Sequence, residues 1–347
     1  MYKYILIFFS IFLFSCSNTS NDSAKEISEK TLRLIGRFDT SQEEQIRFTW
    51  PGSAIEFRFK GKDAKLKIAS TRRVRFEVDV DGVKKDLWVE SGEAVYSLAA
   101  DLRPGIHQIR LTRIIESFEI VTSVIGDPIV DKLLAAPKAP TRKLLAIGDS
   151  ITAGYGVEGA NKECHYEMET SNQQLSYAAV AAKNLDADLH AIAWSGIGAW
   201  RSYAEKTPVS PNILIRSQRT LADDENSHWD VSNYTPDAIL INIGTNDYWE
   251  GSVSDEYRQQ MRKLIDRTQQ EYPAKPIYLI LSPMLSDTSR ESQQSVLTGL
   301  TNSQVKLVDL GKIEAADGYG CDYHPNVKTN NRMAEALVKQ IKKDLNW

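Results

Sequence analysis

The chain has 347 residues, of which 42% are hydrophobic, so it is long enough for about two domains with buried cores. It carries 42 basic and 46 acidic residues, for a formal net charge of −4. This near balance provides no basic field for a phosphate backbone, and nucleic acid is therefore not expected as a partner. The five histidines are scattered and show no metal-ligand spacing, so we expect neither a metal nor a cofactor.

Residues 1–15 are typical of a secretory signal peptide. Lys3 is followed by an apolar run from Tyr4 to Phe14, which is too short to span a bilayer. Leu-Phe-Ser-Cys, which ends at Cys16, resembles a bacterial lipobox, in which the cysteine becomes the acylated first residue, although Phe14 departs from the small residue usual there. We expect an exported protein whose lipid on Cys16 anchors it to a bacterial membrane, in the periplasm or at the cell surface. Ordinary signal cleavage nearby, with loss of Cys16, is the alternative.

Residues 16–30 are small and polar and predict a tether to the first domain. From 31 to 134, apolar residues recur with a period of two, which predicts half-buried antiparallel strands. The predicted strand segments are Ile55-x-Phe57-x-Phe59, Ala64-x-Leu66-x-Ile68, Val74-x-Phe76-x-Val78-x-Val80 and Ile106-x-x-Ile109-x-Leu111. Asp81-Gly82 between Val80 and Val83 predicts a type I′ hairpin turn, because both central residues of that turn need positive φ.

Residues 135–142 contain two prolines and predict an extended spacer before a second domain, residues 143–347. There, apolar runs alternate with helical patterns, which predicts a parallel sheet covered by helices on both faces. The apolar runs are Leu144–Ile147, Leu189–Trp194, Ala238–Ile243, Ile277–Leu281 and Val305–Val308. Helices are predicted from about 255 to 270 and after Asn326.

Four short segments that contain candidate catalytic residues follow these strands or precede the last helix. Gly-Asp-Ser ends at Ser150, Ser-Gly contains Gly196, Gly-Thr-Asn-Asp contains Asn246, and Cys-Asp-Tyr-His-Pro contains His324. In open α/β sheets ligands bind beyond the carboxyl ends of the strands, so a serine, an amide and a histidine there fit nucleophilic catalysis. Taken singly, each segment also has an ordinary structural explanation: a helix N-cap for the serine, a turn for the glycine and asparagine segments, and a solvated side chain for the histidine.

Together, in this order and spacing, the four segments resemble the SGNH hydrolase family. The resemblance implies that Ser150 is the nucleophile and His324 its base. It also implies an oxyanion hole formed by the N–H groups of Ser150 and Gly196 and the side chain of Asn246. The family's usual acid lies three residues before the histidine, where this chain has a cysteine. Asp322, two residues before, is the nearest carboxylate, and either it or a backbone carbonyl orients His324.

The variant Gly-Cys-Asp-Tyr-His-Pro, preceded by a β-rich domain and by Leu-Ser-Tyr-Ala-Ala at 175–179, looks like carbohydrate esterase family 2. This resemblance implies an N-terminal β-sandwich of jelly-roll type joined to a flavodoxin-like, three-layer α/β/α SGNH domain. It further implies an esterase that removes O-acetyl groups from plant cell-wall polysaccharide such as xylan. We expect the protein to be a monomer. The membrane would be contacted through the lipid anchor only.

Aromatic and cysteine residues adjoin the candidate catalytic segments. Since sugars stack on aromatic rings, four side chains are predicted as substrate contacts, although core packing explains aromatic residues equally well. These residues are Tyr248, Trp249, Trp200 and Tyr323. In an exported protein Cys164 and Cys321 are expected to form a disulfide bond that joins two active-site loops, with two free thiols as the alternative.

Two other functions remain open from the sequence. The first is a carbohydrate-binding surface lipoprotein whose SGNH domain is inactive, but the presence of Ser150, Asn246 and His324 argues against it. The second is an SGNH lipase or lysophospholipase, which the absence of a long apolar lid segment disfavours.

Overall fold

The computed structural model describes residues 31–249, residue 253 and residues 255–347. The predicted signal peptide, the predicted tether and Cys16 lie outside these residues. The described chain forms an antiparallel β domain followed by a parallel α/β domain, which confirms the predicted fold class. Within the described ranges, no helix is both long enough and apolar enough to cross a membrane.

The first domain is built around one long strand, β3. Its strands are β1 (Leu32–Ile35), β2 (Gln45–Phe48), β3 (Ala54–Ser70), β4 (Val74–Val80), β5 (Val83–Val89), β6 (Gly92–Ala99), β7 (Gly105–Arg113) and β8 (Thr122–Leu134). The first half of β3 pairs with β1 and β7, its second half pairs with β6, and β8 pairs with parts of both. The predicted period-two residues of β3, from Ile55 to Ile68, are fully buried and form the centre of this domain's core.

The Asp81–Gly82 hairpin forms as predicted between β4 and β5. Its two turn residues have φ of 52° and 90°, the positive values that a type I′ turn requires. The strand predicted over Ile106, Ile109 and Leu111 forms as β7, with Ile109 and Leu111 buried and Ile106 59% exposed. The three-residue spacing from Ile106 to Ile109 places the two side chains on opposite faces of β7.

The second domain is built on a five-stranded parallel sheet with the order β10-β9-β11-β12-β13. The strands are β9 (Arg142–Gly148), β10 (Ala187–Ala193), β11 (Ala238–Asn242), β12 (Ile277–Ile280) and β13 (Val305–Val308). The last residue of β9 lies opposite the last residues of both β10 and β11, so these three strands end at one level. The chain leaves β9 in one direction for β10 and returns in the other for β11, and such a reversal is where ligands bind in doubly wound sheets.

Helices cover both faces of this sheet. They are α1 (Ser150–Ala153), α2 (Tyr177–Asn184), α3 (Ile213–Arg216), α4 (Asp255–Glu271), α5 (Asp287–Thr298) and α6 (Val327–Leu345). The two predicted helices correspond to α4 and α6. Alternate residues of β9 enter two separate cores, Leu145 and Ile147 with α4 and α5, and Leu144 and Ala146 with α2 and α6.

The two domains contact each other through one aromatic anchor and several polar contacts. Trp50, between β2 and β3, is fully buried in the core of the α/β domain. Arg33 of β1 donates to both carboxylate oxygens of Asp188 in β10, at 2.8 and 2.7 Å. The loop between β7 and β8 also crosses the interface, where the Ser117 hydroxyl donates to the Asp223 carboxylate.

Candidate active site

Ser150 is the first residue of α1, directly beyond the end of β9. Asp149 caps this helical turn, because its carboxylate accepts the N–H of Ile151 at 3.0 Å. Gly154, with φ of 74°, ends the helix after a single turn. Ser150 is only 5% exposed and lies at a helix N-terminus, where unpaired N–H groups favour a developing negative charge.

His324 meets Ser150 from the loop that precedes α6. This loop contains a short 3₁₀ turn, Cys321–Tyr323, and ends where the Asn326 side chain caps α6. His324 Nε2 lies 2.8 Å from Ser150 Oγ. The structure therefore brings the predicted nucleophile and the predicted base within hydrogen-bond distance of each other.

Two main-chain carbonyls orient the imidazole of His324. Its Nδ1 lies 3.1 Å from the carbonyl oxygen of Cys321 and 3.0 Å from that of Asp322. Because a carbonyl oxygen only accepts, Nδ1 carries the proton and Nε2 is left to accept one from Ser150.

The sequence left open whether the Asp322 carboxylate or a backbone carbonyl orients His324, and in the structure it is the main-chain carbonyls and not the carboxylate. The carboxylate accepts the Tyr155 hydroxyl at 2.6 Å and contacts His165 Nδ1 at 2.8 Å. The reason is the left-handed backbone of Asp322, with φ of 49° and ψ of 44°, which presents its carbonyl oxygen to His324 instead. Burial raises the pKa of the Asp322 carboxyl, but hydrogen bonds from Tyr155 and His165 outweigh this effect and hold the pKa below its usual range.

His324 is kept neutral by its surroundings. The Tyr155 ring stacks on the imidazole with a centroid distance of 4.2 Å. Burial lowers the pKa of His324 to about 4, although the two carbonyl acceptors and the charge of Asp322 act in the opposite direction. At neutral pH the imidazole is therefore unprotonated at Nε2, as a general base must be.

The three predicted oxyanion donors follow the three strands that end at one level. Ser150 follows β9, Gly196 follows β10 and Asn246 follows β11. Asn246 Nδ2 donates one hydrogen to the carbonyl of Ile197 at 2.8 Å, which leaves its second hydrogen for a ligand. Gly196 has φ of 78°, a conformation that suits glycine. Two main-chain N–H groups and one side-chain amide are the kind of donor set that stabilises a tetrahedral oxyanion.

Sequence reasoning missed two buried carboxylates that hold the segment around Gly196. Asp247 accepts the main-chain N–H groups of residues 199–201 at 2.8 to 3.1 Å. Glu116, from the β domain, accepts the N–H of Ser195 at 2.5 Å. Asp247 was visible in the Gly-Thr-Asn-Asp segment, whereas Glu116 belongs to no motif and gave no signal.

The four aromatic residues predicted as substrate contacts differ in their exposure. Tyr248 is 2% exposed and its ring packs against Tyr257 in the core, so that prediction is wrong. Trp200 is partly buried against the same core. Only Trp249 and Tyr323 present large surfaces to solvent, with 37% and 58% exposed.

Exposed or half-buried aromatic rings adjoin both the oxyanion donors and His324. Tyr203, which the sequence analysis missed, packs against Trp249 at 5.2 Å and donates its N–H to the carbonyl of Gly196 at 2.7 Å. On the His324 side, Tyr323 contacts Tyr319 at 6.0 Å. The oxyanion donors and the base are thus each bordered by an aromatic pair.

Cys164 and Cys321 form a disulfide bond. The two loops that it joins also pair through their main chains, since Asp322 N–H donates to the carbonyl of Cys164 at 2.9 Å. The loop after Ser150 approaches so closely that a Cβ at Gly156 would lie 2.7 Å from the Cys321 Cβ. The bond therefore fixes the segment whose carbonyls orient His324. In the described part of the chain, no group of three or more His, Cys, Asp or Glu is arranged to hold a metal ion.

Comparison with known proteins identifies the family to which the chain belongs. Residues 34–137 match the family model of the carbohydrate esterase 2 N-terminal domain, and residues 146–332 match that of the GDSL-like lipase/acylhydrolase family. The solved structure of a family two carbohydrate esterase from Clostridium thermocellum, in complex with cellohexaose, is 33% identical with a TM-score of 0.87. The match covers 91% of this chain and 99% of that one. The chain belongs to carbohydrate esterase family 2.

Membership of carbohydrate esterase family 2 makes the chain a carboxylic ester hydrolase and confirms the resemblance found in the sequence. Cellulase/esterase CelE of Acetivibrio thermocellus is 35% identical over 90% of this chain, which spans 39% of the length of that protein. An acetylxylan esterase / glucomannan deacetylase of Cellvibrio japonicus is 27% identical, and the match covers 89% of each protein.

Replacing Asp322 by asparagine should cost far less activity than the loss of an orienting carboxylate. Asparagine tolerates the left-handed backbone and keeps the carbonyl oxygen that contacts His324. Removing the aspartate of a Ser-His-Asp triad lowers kcat about 10⁴-fold. We expect Asp322→Asn to lower kcat/KM on 4-nitrophenyl acetate by less than about tenfold, the effect of roughly one pKa unit in the base. Ser150→Ala and His324→Ala serve as inactive references, and a loss of about a thousandfold would instead make the carboxylate the working third member.

The lowered pKa of His324 also predicts activity that persists into acid. The pKa of His324 falls from 6.5 to about 4 on folding. The contribution of this group to stability is therefore complete above pH 6.5 and is lost as the pH falls towards 4, because the unfolded chain binds a proton that the folded chain does not. The acid limb of kcat/KM should lie near pH 4, and Asp322→Asn should move it lower by removing a charge that raises this pKa. A limb near 6.5, in a protein shown by circular dichroism to be folded at that pH, would contradict this prediction.

Proposed function

We propose that this esterase removes O-acetyl groups from a plant cell-wall polysaccharide, xylan or a related chain, through an acyl-enzyme on Ser150. The 2.8 Å contact between His324 Nε2 and Ser150 Oγ, at the carboxyl ends of the parallel strands, carries the proposal. The substrate class is supported by two relatives, one called acetylxylan esterase / glucomannan deacetylase and one bound to cellohexaose. The reaction requires no cofactor.

In the first step, the acetyl group is transferred to the enzyme. Ser150 Oγ attacks the ester carbonyl carbon while its proton passes to His324 Nε2. The resulting imidazolium keeps its Nδ1–H on the carbonyl oxygens of Cys321 and Asp322. The carbonyl oxygen of the ester becomes an oxyanion, which accepts from the N–H groups of Ser150 and Gly196 and from the amide of Asn246.

Collapse of the oxyanion then breaks the bond to the sugar oxygen. His324 returns its proton to that oxygen, and the sugar leaves with a free hydroxyl group. Water next gives a proton to His324 Nε2 and attacks the acetyl carbon of the acyl-enzyme. Acetate is released and Ser150 recovers its proton, so the site returns to its starting state.

The two aromatic pairs, of which Tyr203, Trp249 and Tyr323 are exposed, support a sugar rather than a lipid substrate. The Tyr203–Trp249 pair lies beside the oxyanion donors, and the Tyr319–Tyr323 pair lies beside His324. Sugar rings have apolar faces that aromatic rings cover, while their hydroxyl groups remain in water. A polysaccharide chain held on both sides of Ser150 would present an internal O-acetyl group to the nucleophile. The paired Ser150 and His324 disfavour an inactive, merely carbohydrate-binding protein.

We further propose that the enzyme acts as an exported, lipid-anchored monomer. The apolar run before Cys16 and its lipobox-like sequence support export and acylation. The disulfide bond next to His324 supports an oxidising compartment, because such bonds persist outside the cytoplasm. The proposed nucleophile, base and oxyanion donors meet within a single chain, so the described site is complete without a second subunit.

Acetate release from acetylated xylan and acetylated glucomannan tests the proposed reaction. We expect the purified protein to release acetate from at least one of them and to hydrolyse 4-nitrophenyl acetate. Ser150→Ala should abolish both activities, because it removes the hydroxyl group that accepts the acyl group.

The same assays separate the alternatives. Faster hydrolysis of long-chain than of short-chain 4-nitrophenyl esters, with no acetate release from polysaccharide, would favour a lipase. Polysaccharide binding without hydrolysis of any ester would favour a carbohydrate-binding lipoprotein.

Membrane fractionation of a bacterial host tests the anchor. The wild-type protein should be found with membranes and incorporate labelled palmitate, whereas Cys16→Ala should do neither because it lacks the acylated thiol. Cys164→Ala is a control that removes a different cysteine, one of the disulfide pair, and it should still be labelled. Equal labelling of wild type and Cys16→Ala would contradict the proposal.

A further inference from the structure

The loop between β7 and β8 carries an acidic residue from the β domain to the active site. Glu116 is buried, with 3% of its surface exposed. One of its carboxylate oxygens accepts the main-chain N–H of Ser195 at 2.5 Å, and the other accepts the Ser195 hydroxyl. Ser195 directly precedes Gly196, whose N–H is one of the proposed oxyanion donors.

The Glu116 contacts restrict the peptide bond that carries the Gly196 N–H. That peptide is planar, so the direction of its N–H depends on how the residues on both sides are held. Glu116 holds the side before it through two atoms of Ser195. Tyr203 holds the side after it, because its N–H donates to the Gly196 carbonyl at 2.7 Å. Of these two supports, only Glu116 belongs to the other domain.

We propose that Glu116 is a positioning residue for ester hydrolysis, which acts through Ser195 to keep the Gly196 N–H directed at the oxyanion. The β domain thereby completes the active site of the α/β domain. This inference rests on the roles proposed above for Ser150 and Gly196. It does not depend on which polysaccharide is the substrate.

Glu116 is itself held in place by a buried cation. Arg113, which is fully buried, donates to the carbonyl oxygen of Glu116 at 3.0 Å and to that of Ile115 at 3.1 Å. Burial raises the pKa of Glu116 to about 7, against the hydrogen bonds from Ser195 and the charge of Arg113, while the charge of Asp149 adds to the increase. A carboxylic acid in such a place is unfavourable for stability unless its contacts are satisfied. Its two bonds to Ser195 satisfy both oxygens.

Kinetics of Glu116→Ala on 4-nitrophenyl acetate test the proposal in the full chain. Because the oxyanion forms only in the transition state, we expect kcat to fall about tenfold to a hundredfold while KM changes little. Glu116→Gln should stay within a few-fold of wild type, since its Oε1 accepts the Ser195 N–H and its Nε2 donates to the hydroxyl.

Ser117→Ala is the matched control. It lies in the same loop and removes another contact between the domains, the one to Asp223, without touching Ser195. We expect it to leave kcat unchanged, even where it lowers the melting temperature. Equal losses of kcat in Glu116→Ala and Ser117→Ala would show that the loop only supports the fold, and wild-type kcat in Glu116→Ala would overturn the proposal.

Ser195→Ala provides an independent variant if Glu116→Ala does not fold. It removes only the hydroxyl contact and should lower kcat a few-fold with unchanged KM, and an unchanged kcat would count against the proposal. Failure of the proposed function gives a different result from failure of this inference. A wild-type protein that hydrolyses 4-nitrophenyl acetate but no acetylated polysaccharide refutes only the proposed substrate class. A wild type inactive on both esters refutes the Ser150 mechanism and this inference together.

Discussion

Three neighbouring parallel strands end in register with one another, and this alignment determines where the active site forms. The last residue of β9 is in register with the last residues of β10 and β11. Ser150, Gly196 and Asn246 follow those ends by a few residues each. Three segments that are far apart in the sequence therefore meet at one edge of the sheet. A register shift of one residue would move a donor by about 3.3 Å, which exceeds the reach of a hydrogen bond.

Burial of charge is the second constraint, and it acts in two directions. Burial lowers the pKa of His324 to about 4, so folding favours its neutral form, and stability from this group is lost as the pH falls from 6.5 towards 4. Burial raises the pKa of Asp149 to about 7 and that of Asp247 to about 6. For these carboxyl groups, stability is lost as the pH rises from 3.8 towards 7 for Asp149 and towards 6 for Asp247. The site therefore combines a base that burial keeps neutral with acids that burial makes weaker.

Much of the fold was predictable because it depends on local pattern. Period-two burial, the Asp81–Gly82 turn and the apolar runs of the parallel sheet are properties of neighbouring residues, and the structure has all of them. Ile106 lies on the exposed face of β7 because its three-residue spacing to Ile109 changes the face of the strand. The prediction that Tyr248 contacts substrate is wrong because its sequence neighbours belong to the site, whereas its own ring enters the core.

The contacts that complete the site were harder to predict because they depend on the main chain and on distant residues. The sequence offered the Asp322 carboxylate and a backbone carbonyl as alternatives for orienting His324, and it could not decide between them because every residue type has a carbonyl. Glu116 contacts Ser195 across 79 residues of sequence and a domain boundary. In the sequence it is one acid among 46 acidic residues. Only the packing of the β domain against the parallel sheet distinguishes it, which is why the β domain is better understood as part of the active site than as a separate module.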